Sequence, residues 1–328
     1  MYRIQISNEL QKKPYFWYLY RCLTSKNHQE KTVISTFQNT FFDESFIELV
    51  YINDVPCIFD LRDDFTLSET YNGLFNNEYI LFKANYSSEM WQNPPSVFEY
   101  KLQPWSNNIK DRIIPFAYGR AFSVSPYKDE FELYSSVINP IEFDLASYSG
   151  AGLTEMHTRS RLDVYDLLEE YFDEKACLIF EDRSHFKDKY NGYLQHLEKY
   201  KGQSCSGLNT YYSFISKGKY ILNFPGIALS QPFRFVDAVL MNRGVISTKI
   251  WQDVWKTFPC IELESVCGYF GYDEDKIDYI TDSLTNKLKT TNYKELLLNQ
   301  KKWYDDMLSS NGMFTNQILR GFHAKNIN

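Results

Sequence analysis

Arg234 and Asp237 stand three residues apart in the stretch Lys219–Lys249, KYILNFPGIALSQPFRFVDAVLMNRGVISTK. An arginine and an acid at that spacing share one face of a helix. A guanidinium presents a planar fork of donors that matches phosphate oxygens. A carboxylate accepts from hydroxyls. Upstream, Tyr220-Ile221-Leu222 reads as a short buried strand, and Phe224-Pro225-Gly226 breaks it. The loop then runs through Ser230 to Pro232-Phe233, and proline suits the first turn of a helix. Phe233, Val236, Ala238, Val239 and Leu240 supply the apolar face, Arg243-Gly244 ends the helix, and Val245–Thr248 is the next strand. The helix start offers free backbone N–H groups to an anion. The plainer readings are an Arg234–Asp237 ion pair, an Asp237 cap and a turn at Gly226.

A second loop, Glu181–His185, follows the strand-like Leu178-Ile179-Phe180 and carries Arg183. Ligands of open α/β sheets bind beyond the carboxyl ends of the strands, so Arg183 and Arg234 are expected in one crevice. A solvated loop arginine is the alternative for Arg183. On the other side of such a crevice a base is needed for any hydroxyl acceptor. Asp60, Asp63 and Asp64 follow the strand-like Val55–Phe59, and clustered carboxylates raise one another's pKa. The alternative is a polar turn with a capping aspartate. Glu69, Glu155 and His157 are lesser candidates. The six cysteines form no C-x-x-C and the five histidines are scattered, so no metal site is expected.

The order Pro225, Gly226, Pro232-Phe233-Arg234, Asp237, Ala238, Leu240, Gly244 resembles the donor-binding half of GT-B glycosyltransferases, in particular their exostosin-like branch. Asp237 replaces the more usual Glu, and Arg243 replaces a small residue. Ile80-Leu81-Phe82-Lys83 and the later Ile114-Pro115 with Gly119 also resemble the first half of such proteins. The resemblance implies an α/β, GT-B-like fold of two Rossmann-like domains facing across a cleft. It implies a nucleotide diphosphate sugar as donor and a glycan, lipid-linked glycan or protein as acceptor, with no metal. Gly226, Ser230, Phe233, Arg234, Asp237 and Arg183 would hold the donor. Asp60, Asp63 or Asp64 would take the acceptor proton. A protein of this fold that binds nucleotide or carbohydrate without transfer is the alternative.

The elements must bring these residues together. Of 328 residues, 44% are hydrophobic, enough for two ordinary domains with full cores. A net charge of −7 argues against a general nucleic-acid binder. No signal segment is evident at Met1, and no run approaches a membrane span, so a cytoplasmic protein is expected. The cluster Tyr15–Tyr20 beside Lys12, Lys13 and Arg21 suits either a buried element or peripheral membrane contact.

Strands are expected at 31–37, 46–52, 55–60, 78–83, 176–180 and 258–263, with a hairpin turn at Asn53-Asp54. Helices are expected near 159–172, 190–201, 208–215, 274–288, 293–307 and 316–322. Residues 126–149 read as a polar connection. The expected division is an acceptor domain over 1–130, joined by a terminal helix at 311–328, and a donor domain over 131–310.

Overall fold

The computed structural model describes residues 1–39, 46–62, 70–75, 78–89, 109, 111–118, 138–150, 155–181, 199–200, 208–224, 234–263 and 277–325. Two sheets organise the chain. The first contains β1 (Tyr2–Ser7), β2 (Thr32–Phe37), β3 (Ile47–Ile52), β4 (Val55–Asp60), β5 (Ile80–Lys83) and β6 (Ile113–Pro115), in the order β2-β1-β3-β4-β5-β6. Only β3 runs against its neighbours. It is reversed because Asn53 and Asp54 close the hairpin with φ of 49° and 68°, the left-handed pair that a two-residue turn requires. The sequence argument missed β1. Its apolar signal is only Ile4 and Ile6, both buried, alternating with polar Arg3 and Gln5.

The second sheet is parallel throughout. It contains β7 (Phe143–Gly150), β8 (Ala176–Glu181), β9 (Gly218–Asn223), β10 (Gly244–Ser247) and β11 (Ile261–Glu262), ordered β11-β10-β9-β7-β8. The expected connection over 126–149 is corrected here: Phe143–Gly150 is the strand between β8 and β9. It escapes a hydrophobicity pattern because its inner positions are small or hydroxylic. Ala146 lies against Gly218, where an added Cβ would come within 2.6 Å. Ser147 accepts from the buried Tyr165 hydroxyl at 2.8 Å. The expected strand over 258–263 shrinks to the two residues of β11.

Both halves are Rossmann-like α/β units, and their arrangement is GT-B-like. The chain from Ser310 onward packs on the first sheet. Gln317, in the π-helical turn Met313–Leu319, accepts from the Ala117 N–H at 2.7 Å and donates to the Ala117 carbonyl at 3.1 Å. Gly321 lies where a Cβ would meet Ile114 at 2.7 Å, so this helix approaches the sheet closely. Tyr2 pairs with His323 at 2.8 Å. The aromatic cluster near the start of the chain turns inward. Phe16, Tyr18 and Leu19 are buried, and Lys13 pairs with buried Glu48 at 3.0 Å. What remains outward is a rim of half-buried Tyr15, Trp17 and Tyr20. Among the described residues no helix is long and apolar enough to cross a membrane.

His28 is buried on the same junction, stacked on Phe314 with centroids 4.2 Å apart, and donates from Nε2 to the Ser310 carbonyl at 3.2 Å. Burial pushes its pKa below the ordinary 6.5, aided by nearby Lys31, although the Ser310 contact pulls it up. A lowered folded-state pKa means the unfolded chain binds the proton more tightly. Stability is therefore complete above about pH 6.5 and falls as pH drops below it. Thermal melts will show stability falling as pH drops below about 6.5, and His28→Phe will flatten that part of the profile.

Candidate functional site

In this parallel sheet the chain leaves β7 toward β8 on one side and leaves β9 toward β10 on the other. The gap between the carboxyl ends of β7 and β9 is the switch point where such sheets bind ligands. Two arginines enter that gap. Arg234 opens the helix Arg234–Leu240 and donates from one terminal nitrogen to the Tyr148 carbonyl of β7 at 2.8 Å. Its Nε is buried with no hydrogen-bond partner. Arg161, from the helix Glu155–Phe172, donates to the Gly150 carbonyl at 2.6 Å and lies 5.9 Å from the Phe224 ring. Burial pushes the Tyr165 phenol up, while its hydrogen bonds to serine hydroxyls and the charges of Arg234 and Arg161 pull it down.

The floor of the gap is Asn223 at the end of β9. It is 3% exposed and donates to Ser247 Oγ at 2.8 Å, but among the described residues its Oδ1 has no hydrogen-bond partner. A buried unpaired acceptor carries a desolvation penalty of about 1–3 kcal/mol, so it marks a place for a ligand donor. The helix that aims Arg234 is fixed from behind. Its next residue, Phe235, stacks on Trp255 at 5.1 Å and packs tilted against Phe258 at 4.6 Å, and Trp303 packs on Trp255 at 4.5 Å. Arg243, the departure from the family pattern, is a buried cap for this helix. It donates to the carbonyls of Met241 and Asn242 at 3.2 Å, of Ser216 at 2.7 Å and of Asn139 at 2.8 Å.

The expected site residues fare differently. Arg234 is at the switch point. Asp237 is one turn further along its helix and 1% exposed, so its carboxylate is enclosed by protein. Arg183, Gly226, Ser230, Phe233, Asp63 and Asp64 lie outside the described residues. Arg161 was not singled out by sequence. Its only signal was an arginine at the start of an amphipathic helix, eleven residues past Gly150.

Asp60 ends β4 in the first sheet and is fully buried. Lys83, also fully buried, is 3.1 Å from its Oδ2. Arg62 grips both oxygens at 2.8 and 3.1 Å, and the Tyr71 hydroxyl donates to Oδ2 at 3.0 Å. Burial alone would raise the Asp60 pKa, but Lys83 and Arg62 outweigh it and hold the group below the usual carboxylate range. A carboxylate this enclosed and this weakly basic anchors Arg62 and Lys83; it has no free lone pair facing a cleft. The geometry therefore runs against Asp60 as a proton acceptor. Among the described residues no group of three or more His, Cys, Asp or Glu side chains is placed to hold a metal ion.

No family model and no curated protein matches the chain. Solved structures do. A glycosyltransferase from Rickettsia africae shares 12% identity at a TM-score of 0.41, over 80% of this chain and 69% of that one. A TarM mutant of S. aureus, in complex with Fondaparinux, alpha-GlcNAc-glycerol and UDP, shares 13% at 0.38, over 66% of this chain and 40% of that one. The C-terminal domain of a group 1 family glycosyl transferase (LpcC) from Francisella tularensis shares 11% at 0.33, over 59% and 95%.

Proposed function

We propose that this protein is a glycosyltransferase that moves a sugar from a nucleotide diphosphate donor, bound at the β7/β9 gap, to an acceptor met by the first half. The observation that carries the reading is that Arg161 and Arg234 donate to carbonyls at the end of β7, at the switch point where Asn223 ends β9 with its Oδ1 unpartnered among the described residues. As the glycosidic bond to the donor breaks, negative charge grows on the diphosphate. Two guanidiniums held in a half-buried site stabilise that charge without a metal. Arg183, Gly226, Ser230 and Phe233 would complete the donor pocket, and Asp237, once uncovered, would take the ribose hydroxyls. Asp63 or Asp64 would accept the proton of the acceptor hydroxyl, with Asp60 anchoring the strand end that precedes them. The acceptor class is a glycan, a lipid-linked glycan or a protein; a lipid carrier would be met at the Tyr15, Trp17 and Tyr20 rim.

One observation favours a second reading. The described carboxylate nearest the expected base position, Asp60, is fully occupied. That suits a protein that binds nucleotide or carbohydrate without turnover. Calorimetric titration with UDP, GDP, CDP and ADP, with and without Mg²⁺, decides the first step. Metal-independent binding of one nucleotide supports the site, and release of free sugar from the matching donor separates transferase from binder. Absence of binding to all four would sink the transferase reading and leave only a carbohydrate binder.

A further inference from the structure

The two halves touch in two chemically different ways. Along one side the junction is apolar and buried: Trp255, Phe258, Trp303, Leu308, Met313 and Phe314 belong to one continuous core. Beside it, the loop after β5 meets the segment after β10 through polar groups. Asp253 accepts the Ser88 N–H at 3.0 Å and donates its own N–H to the Tyr86 carbonyl at 3.0 Å. Gln252 reaches Asn85 Oδ1 at 3.5 Å. Glu89 is held between two ammonium groups, Lys249 and Lys256, the second at 3.2 Å. Lys249 also lies 4.0 Å from the Trp251 ring centroid, which keeps it aimed at Glu89.

These two contacts respond to different forces. The Glu89 side chain is 40% exposed and its lysines 32% and 36%. Ion pairs so exposed contribute about 0–1 kcal/mol each and are screened by salt. The aromatic junction is dry, and salt does not weaken it. Both loops follow the carboxyl ends of strands, so their contact spans the gap between the two sheets' functional edges. Glu89 carries the arrangement: without its charge Lys249 faces a neutral group, and Lys256 keeps only Asp253 at 3.5 Å within its own segment.

We propose that loops 84–89 and 248–256 form an ionic clasp, keyed by Glu89, that holds the two halves together at the sheet ends and loosens in salt, while the apolar junction through Leu308, Met313 and Phe314 stays shut. The inference uses only contacts between the halves and holds whatever ligand fills the β7/β9 gap.

Amide hydrogen exchange on the full chain, with no nucleotide present, reads the clasp directly. The Ser88 and Asp253 amides both bond across it. In Glu89→Gln these two amides will exchange at least ~10-fold faster, and the wild type will behave the same way at about 1 M salt, where the Debye length is about 3 Å. The amides of β5 and β10 will keep their protection. Lys256→Gln will move the two amides in the same direction by less. Wild-type protection in Glu89→Gln would overturn the clasp, as would loss that occurs only together with the strand amides. Because no donor is present, either result is independent of the glycosyltransferase reading.

Discussion

Arg234→Ala will weaken nucleotide diphosphate binding by about a hundredfold and leave the fold intact. The estimate follows from two charge-assisted hydrogen bonds to phosphate oxygens, together about 3 kcal/mol, and 1.4 kcal/mol is a factor of ten. The fold survives because the helix is held by Phe235 on Trp255 and Phe258, not by the arginine. What the variant loses structurally is one bond to the Tyr148 carbonyl. Arg161→Ala will act in the same direction, and the double variant will lose less than the two sum to, because the groups serve one anion. Arg234→Lys keeps the charge but not the fork and will fall between. Titration of the four proteins with the nucleotide that binds wild type checks this. Wild-type affinity in Arg234→Ala would end the assignment of the β7/β9 gap.

The second large effect concerns Asp60. Removing one partner from a buried charge cluster leaves the other charged and unsolvated, at a cost of about 3–5 kcal/mol. Asp60→Ala does this to Lys83, and to Arg62 in part. Against a total stability of roughly 5–15 kcal/mol, the variant will lose a large share of its stability. Asp60→Asn with Lys83→Met removes both charges and keeps the volume, and urea denaturation will show most of the stability restored. Turnover in that double variant then separates anchor from base. Retained activity assigns the base to the following aspartates. A fully folded double variant with no activity would return Asp60 to the chemistry, against its geometry.

How much was legible depended on which force wrote the signal. The Asn53-Asp54 turn, the helices Leu208–Ile215 and Tyr293–Met307 and the Lys219–Ser247 unit were legible because local propensity and burial agree there. β7 was not, because a strand covered on both faces can be built from small and hydroxylic residues when neighbours such as Gly218 and Tyr165 come close. Asp60 reads as a site carboxylate by its place after a strand. Its pairing with Lys83 is twenty-three residues away and appears only when β4 lies beside β5. Arg243 looked like a flaw in a motif. It is a cap whose acceptors come from three separate segments, which no local pattern records. Arg161 was hidden for the same reason, since its meaning depends on Gly150 standing at the switch point.

The Gln317 contact bears on how this chain is made. Its partner, Ala117, lies 200 residues earlier. During synthesis the first sheet therefore emerges with Phe82 and Ile114 bare on the face that Gly321 will cover. The second sheet, whose strands lie within 143–262, is translated in the interval. The amino-terminal half of the polypeptide is thus the one completed later, and the nascent chain carries a sticky apolar face until residues 317–321 have emerged. Holdase chaperones that bind such faces will matter for this protein during that interval.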